Sequence, residues 1–128
     1  MQGMQGESMP AKGIAMASGE FPSCRVQVDG ARAEVTFLDD MLHRQADLEQ
    51  VYGELEQGLL EADKPELVMD ISSVKHILSD SLGWLIHLAR IVKSRGGRLR
   101  VIRPHRAVYR ALEVARFTEM AEVEKPAD

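Results

Sequence analysis

The sequence predicts one α/β domain, a single mixed β-sheet in the order β-β-α-β-α-β-α-β with helices packed on it. Three observations lead there. Two stretches of period-two alternation flank Asp29-Gly30, the pattern of a hairpin. A short apolar run at residues 66–71 is followed by a helical pattern, by Gly96-Gly97 and by a second strand pattern, which together make a βαβ unit. The chain has 128 residues, 45% hydrophobic and only 5% aromatic, the size of one ordinary domain.

The opening residues, 1–21, are rich in Met, Gly and Ser and read as a flexible tail, with the domain over residues 22–128. The uncharged piece at residues 13–19 lacks the basic leader of a signal peptide, and no stretch reaches the ~20 apolar residues that cross a bilayer. In the first strand, Cys24-Arg25-Val26-Gln27-Val28, Cys24 reads as a buried apolar residue; Ala33-Glu34-Val35-Thr36-Phe37 is its hairpin partner. Leu48, Val51, Tyr52, Leu55 and Leu59 then fall at helical spacing with Glu49, Glu54 and Glu56 on the other side, so this helix covers the sheet with one face.

Asp63-Lys64-Pro65 ends that helix, and the continuous apolar character of Leu67-Val68-Met69-Asp70-Ile71 marks a central strand buried on both faces. The second helix spans residues 81–95 on a stripe of Leu82, Leu85, Ile86 and Ala89, widened by Trp84, Leu88 and Ile91. Gly96-Gly97 stops it as a left-handed cap, and Arg98-Leu99-Arg100-Val101-Ile102 is the next strand. Such crossovers are right-handed in roughly 98% of cases, so the two strands are parallel. After Pro104 a short helix at residues 107–115 presents Val108, Leu112 and Ala115, and a weak strand follows at residues 119–123.

Sixteen basic against twenty acidic residues leave a net charge of −4, without the basic excess of a nucleic-acid-binding domain. The single cysteine forms no intramolecular disulfide, no Cys/His set has zinc spacing, and the expected compartment is the reducing cytoplasm. Phosphate loops, GxGxxG, HExxH and GxSxG are all missing. His43, His76, His87 and His105 are scattered, with His76 a solvated loop residue. A metal at Asp39-Asp40 with His43 competes with the ordinary preference for Asp before a helix, which accounts for the pair more simply.

The informative segment is Ile77-Leu78-Ser79-Asp80-Ser81-Leu82-Gly83, between the central strand and the second helix. Ser79, Asp80 and Ser81 all suit helix capping, worth roughly 1 kcal/mol, but capping accounts for one of the three. A phosphate on a hydroxyl there meets unpaired backbone N–H groups and the positive end of the helix dipole. Trp84, one turn on, fits either a core position or a partner anchor, and the high average burial of Trp favours the core.

These residues resemble the STAS domain family, founded on the bacterial anti-sigma factor antagonists. The resemblance runs through Leu67-Val68-Met69-Asp70-Ile71-Ser72-Ser73-Val74, then Ser79-Asp80-Ser81-Leu82-Gly83, then Gly96-Gly97 and the strand after it, over nearly half the chain. It implies a regulator rather than an enzyme, with no cofactor. Ser79, with Ser81 second, stands at the phosphorylation position. Ser79, Asp80, Ser81, Leu82 and Gly83 stand at the partner-binding positions, and Asp70 holds the loop. Leu78 replaces the family's Asp and Ser81 its Gly; the family's Gly-x-Leu-Asp segment has no counterpart in Asp39-Asp40-Met41-Leu42-His43.

The implied mechanism is partner switching: the domain binds an anti-sigma factor that is a serine kinase, is phosphorylated and released, and is reset by a phosphatase. Neither nucleic acid nor membrane insertion enters that mechanism, and a homodimer is compatible with it. The alternative is a non-phosphorylated STAS scaffold subunit of a larger assembly, a lipid-transport ATPase complex or a stressosome-like shell, which the loss of the Asp at Leu78 favours.

Overall fold

The structure, a computed structural model, describes residues 12–42 and 46–126. A two-residue strand, β1 (Gly19–Glu20), pairs antiparallel with β2 (Cys24–Asp29), which forms the expected hairpin with β3 (Arg32–Phe37). Asp29 lies opposite Arg32, so the turn is Gly30-Ala31. Gly30 has φ +62° and Ala31 is not among the residues with positive φ, the pattern of a type II′ turn with glycine first.

After β4 (Met41–Leu42) comes α1 (Ala46–Glu61), then the central strand β5 (Glu66–Asp70), β6 (His76–Ile77), α2 (Ser79–Ser94), β7 (Arg98–Ile102), α3 (Arg106–Val114), a 3-10 turn at Phe117–Glu119 and β8 (Glu122–Val123). Six strands form one sheet in the order β1-β2-β3-β5-β7-β8, antiparallel up to β3 and parallel beyond it. The two shortest internal strands, β4 and β6, pair apart from it as a parallel ribbon. The predicted mixed α/β sheet and the eight-element order hold, with β1, β4 and β6 added because two residues are too few to show a period.

The core lies on one face of the sheet. Val26, Val35, Phe37, Leu67, Met69, Leu99 and Val101 point to it and meet the stripes Leu48/Leu55/Leu59 of α1, Leu85/Leu88/Val92 of α2 and Val108/Leu112 of α3. Each such aliphatic side chain contributes about 1.5–3 kcal/mol when fully buried. The opposite face carries charge in register rows, Arg32-Glu66-Arg98 and Glu34-Val68-Arg100-Glu122, tied by Arg32–Glu66 at 3.5 Å and a two-pronged Arg98–Glu122 pair at 2.8 and 2.7 Å. Only at the centre of that face are side chains buried, Val68 at 1% exposure and Asp70 at 4%. The central strand is thus covered on both faces, as its unbroken apolar run predicts.

The expected tail overlaps the fold. Ile14 is buried in the core, its N–H donates to Gly30 O at 2.8 Å, and Asp63 N–H donates to Lys12 O at 2.9 Å. One isoleucine in a Gly/Ala/Ser-rich run has no periodicity to reveal it, so the boundary expected at residue 22 lies inside the folded part. Residues 1–11, the rest of the expected tail, are outside the described residues.

The C-terminal end of α2 closes as the glycine pair predicts. Gly96, at φ +72°, donates to Lys93 O and Gly97 to Val92 O, the two bonds of a Schellman motif. Gly97 is required sterically, because a Cβ there would sit 1.9 Å from Pro65 O. Gly97→Ala must therefore push apart the α1–β5 and α2–β7 connections. We expect a loss of about 3 kcal/mol, the upper end of overpacking penalties, in the urea unfolding free energy.

Candidate partner-binding site

The site is built where β5 and β7 end. Asp70 is the last residue of β5 and lies on the charged face, yet only 4% exposed, so its carboxylate needs partners to remain ionised. It has two: Oδ1 accepts the Ser72 N–H at 3.0 Å, and Oδ2 accepts from the Arg103 guanidinium. Burial alone raises the Asp70 pKa, but the hydrogen bonds from Arg103 and Ser72 outweigh it and hold the carboxyl below its ordinary value. Arg103 reaches back by turning left-handed at φ +57°, and its own N–H donates to Glu124 at 2.8 Å. His105 Nε2 then meets Ser72 O at 2.9 Å.

From this anchor the loop at residues 71–78 is fixed on three sides. Ile71 N–H donates to Ile102 O at the end of β7; Lys75 and His76 N–H groups donate to Asp40 O; Leu78 N–H donates to Leu42 O at 3.0 Å. Asp40 thus serves the loop through its backbone. His76, expected as a solvated loop residue, is exposed, though it belongs to the β4–β6 ribbon. The metal alternative involved His43, which lies outside the described residues; among those described, no group of three or more His, Cys, Asp or Glu could hold a metal.

The helix that follows begins at Ser79, two residues earlier than the apolar stripe predicts, and its cap is Leu78, with no side-chain capping bond. None of the three expected capping residues caps the helix, since each lies inside its first turn. Their environments differ sharply. Ser79 and Asp80 are exposed, Asp80 Oδ1 accepting the Ser81 N–H at 2.7 Å. Ser81 is fully buried, its hydroxyl without a hydrogen-bond partner, so a phosphate there requires α2 to move. Leu82 is half-buried and Gly83 exposed. Leu78, at 43% exposure, places apolar surface next to Ser79, and Met41, at 39%, lies opposite His76 in the β4–β6 ribbon. Among the expected partner-binding residues, the geometry presents Ser79, Asp80 and Gly83 to solvent and withdraws Ser81.

Trp84 takes the core position: it is 6% exposed and stacks on Tyr52 with ring centroids 3.5 Å apart. Cys24 is buried in the first strand of the hairpin. Reasoning on the sequence missed Arg103 and His105 as partners of the loop. The only signal was a basic residue and a Pro directly after a strand, which does not disclose a left-handed turn.

Two stability effects follow. Asp70 has a depressed pKa in the fold, so its contribution is present above the ordinary carboxylate pKa and is lost as pH falls through the folded-state value. Asp70→Asn should lower the unfolding free energy by about 1–3 kcal/mol at pH 7, the range for hydrogen bonds to charged groups, and the difference from the parent should shrink on acidification. Ser81→Ala removes a buried unpaired hydroxyl and should raise stability by about 1 kcal/mol, read as a higher urea midpoint with unchanged slope.

A family model described as "Mlab, STAS domain" (STAS_2) matches residues 24–122. Among solved structures, the anti-sigma factor antagonist SpoIIAA in its unphosphorylated form superposes with a TM-score of 0.66 at 11% identity, covering 80% of this chain and 88% of that one. The protein TM1081, solved by NMR, superposes with a TM-score of 0.55 at 19% identity, covering 92% of this chain and 91% of that one. Among curated proteins none matches the chain. The fold is that of SpoIIAA, and with a family match running from the hairpin to β8, the chain belongs to the STAS_2 family of STAS domains.

Proposed function

We propose that the chain is a non-enzymatic, anti-sigma-factor-antagonist-like regulator that works by partner switching, controlled by phosphorylation of Ser79. The supporting observation is that Ser79 alone of the two candidate hydroxyls is exposed, at the start of a helix whose cap makes no side-chain bond, with the exposed Leu78 beside it as an apolar rim. A partner surface laid over that rim excludes water from the hydroxyl. A phosphate on Ser79 adds about −1.5 to −2 of charge beside Asp80, and it introduces a desolvation penalty into the contact. Coupling of about 1–3 kcal/mol, roughly 5- to 150-fold in affinity, is enough to exchange partners. The partners this reading assigns are an anti-sigma factor with serine-kinase activity and a phosphatase that resets the site, all in the cytoplasm. No helix among the described residues is long and apolar enough to cross a membrane.

A second reading, a constitutive scaffold subunit of a larger assembly, draws on Leu78, an exposed apolar side chain in place of the family's acidic residue. The two separate experimentally. With its cognate kinase and ATP, the protein should gain one phosphate at Ser79 by mass spectrometry and none in Ser79→Ala. Ser79→Asp should weaken kinase binding at least tenfold. A stoichiometric partner that co-purifies equally with parent, Ser79→Ala and Ser79→Asp supports the scaffold instead.

A further inference from the structure

The groove between α1 and α2 carries two glycines that the fold itself does not explain. Gly58 is filled by Ile14, Gly97 abuts Pro65, Gly13 lies against Gly30 and Gly19 against Phe21, while Gly30 and Gly96 have positive φ. Gly53 and Gly83 have neither reason: a Cβ on either would meet nothing within 4 Å. Both sit inside helices, where glycine weakens the helix relative to alanine. Both also line the same groove, of about 380 Å³.

The lining is regular. Glu49, Tyr52, Gly53 and Glu56 on α1 face Asp80, Gly83, Trp84 and His87 on α2, each set at i, i+3, i+4 and i+7. The buried Tyr52–Trp84 stack forms the floor, and the Trp84 indole N–H has no hydrogen-bond partner. Carboxylates stand on both walls, Glu49 and Glu56 on one and Asp80 on the other, with His87 Nε2 3.3 Å from Glu56. Two missing side chains thus leave open a slot walled by acids of opposite helices.

We infer that this groove is a docking site for an arginine side chain of a partner protein. The charged guanidinium fork is complementary to the carboxylates of the two walls, and its aliphatic stem passes over the two glycines. The inference rests on the partner-binding reading of the α2 surface, to which Asp80 and Gly83 belong, and it names the chemistry of the partner.

The test uses the single tryptophan, Trp84, as its own reporter. A capped alanine-based helical peptide with arginine at every fourth position, which sets the arginines on one face, is titrated into the full chain at low salt, with a citrulline peptide of the same design as control. A saturable change in Trp84 fluorescence, at least tenfold weaker with citrulline, supports the site. Gly53→Ala changes no charge and should weaken binding at least tenfold while its melting temperature rises; Glu56→Gln should weaken binding without filling the slot. Equal binding of the citrulline peptide, unchanged binding by Gly53→Ala, or no response to the arginine peptide overturns the inference. Phosphate transfer to Ser79 is followed separately: phosphorylation with no groove response overturns the groove alone, and a groove response without phosphorylation overturns the switch alone.

Discussion

A buried carboxylate at the end of the central strand sets the geometry of everything built on that edge of the sheet. Asp70 lies in register between Thr36 and Ile102, on the face that lacks the helices, and at 4% exposure it stays ionised only because Arg103 and the Ser72 N–H satisfy it. Removing a charge from water is expensive unless it is paired, so the carboxylate dictates where its partners go. Arg103 must turn left-handed to reach it, which sends the chain through Pro104 into α3 and brings His105 onto Ser72 O. The exits of β5 and β7 are thereby tied together, and the loop leading to Ser79 begins from a fixed point.

The two faces of the sheet divide the work. One holds the apolar core with stripes from all three helices; the other is a lattice of ion pairs, individually worth little because they are exposed. In the proposed mechanism recognition falls to α2, whose inner stripe is buried and whose N-terminus is not. Leu78 and Ser79 sit at its start, and Asp80, Gly83 and His87 run along the groove beside α1. Asp80 belongs to both surfaces, so in the proposed mechanism a phosphate on Ser79 alters the field along the acidic groove as well as at the helix tip.

Most of the fold was legible because it depends on periodicity. The hairpin, the three amphipathic helices, the doubly covered central strand and the Gly96-Gly97 stop all announce themselves through spacing or glycine position. Ile14 was not legible, being a lone apolar residue whose burial depends on meeting Gly58 from a distant helix. Nor were β4 and β6, where two residues pair only because Asp40 and Leu42 carbonyls accept from the loop. At the site, Ser79 stood out by its place before a helical pattern, and Asp70 only through the resemblance to the STAS family. The burial of Ser81 was not, because it follows from α2 starting at Ser79, where no side chain caps the helix. Gly53 and Gly83 read as ordinary imperfections in a helix until the structure shows them facing one groove.

The central claim is that the Asp70 carboxylate holds the loop that presents Ser79. Hydrogen exchange of residues 71–78 in Asp70→Asn, compared with the parent at neutral pH, tests it directly. The loop amides donating to Asp70, Asp40 and Leu42 should exchange at least tenfold faster in the variant, relative to the core amides of β5 and α1, since local opening frees them without global unfolding. Loop exchange that keeps pace with the core in both proteins would contradict the claim and leave the loop held by its backbone contacts alone.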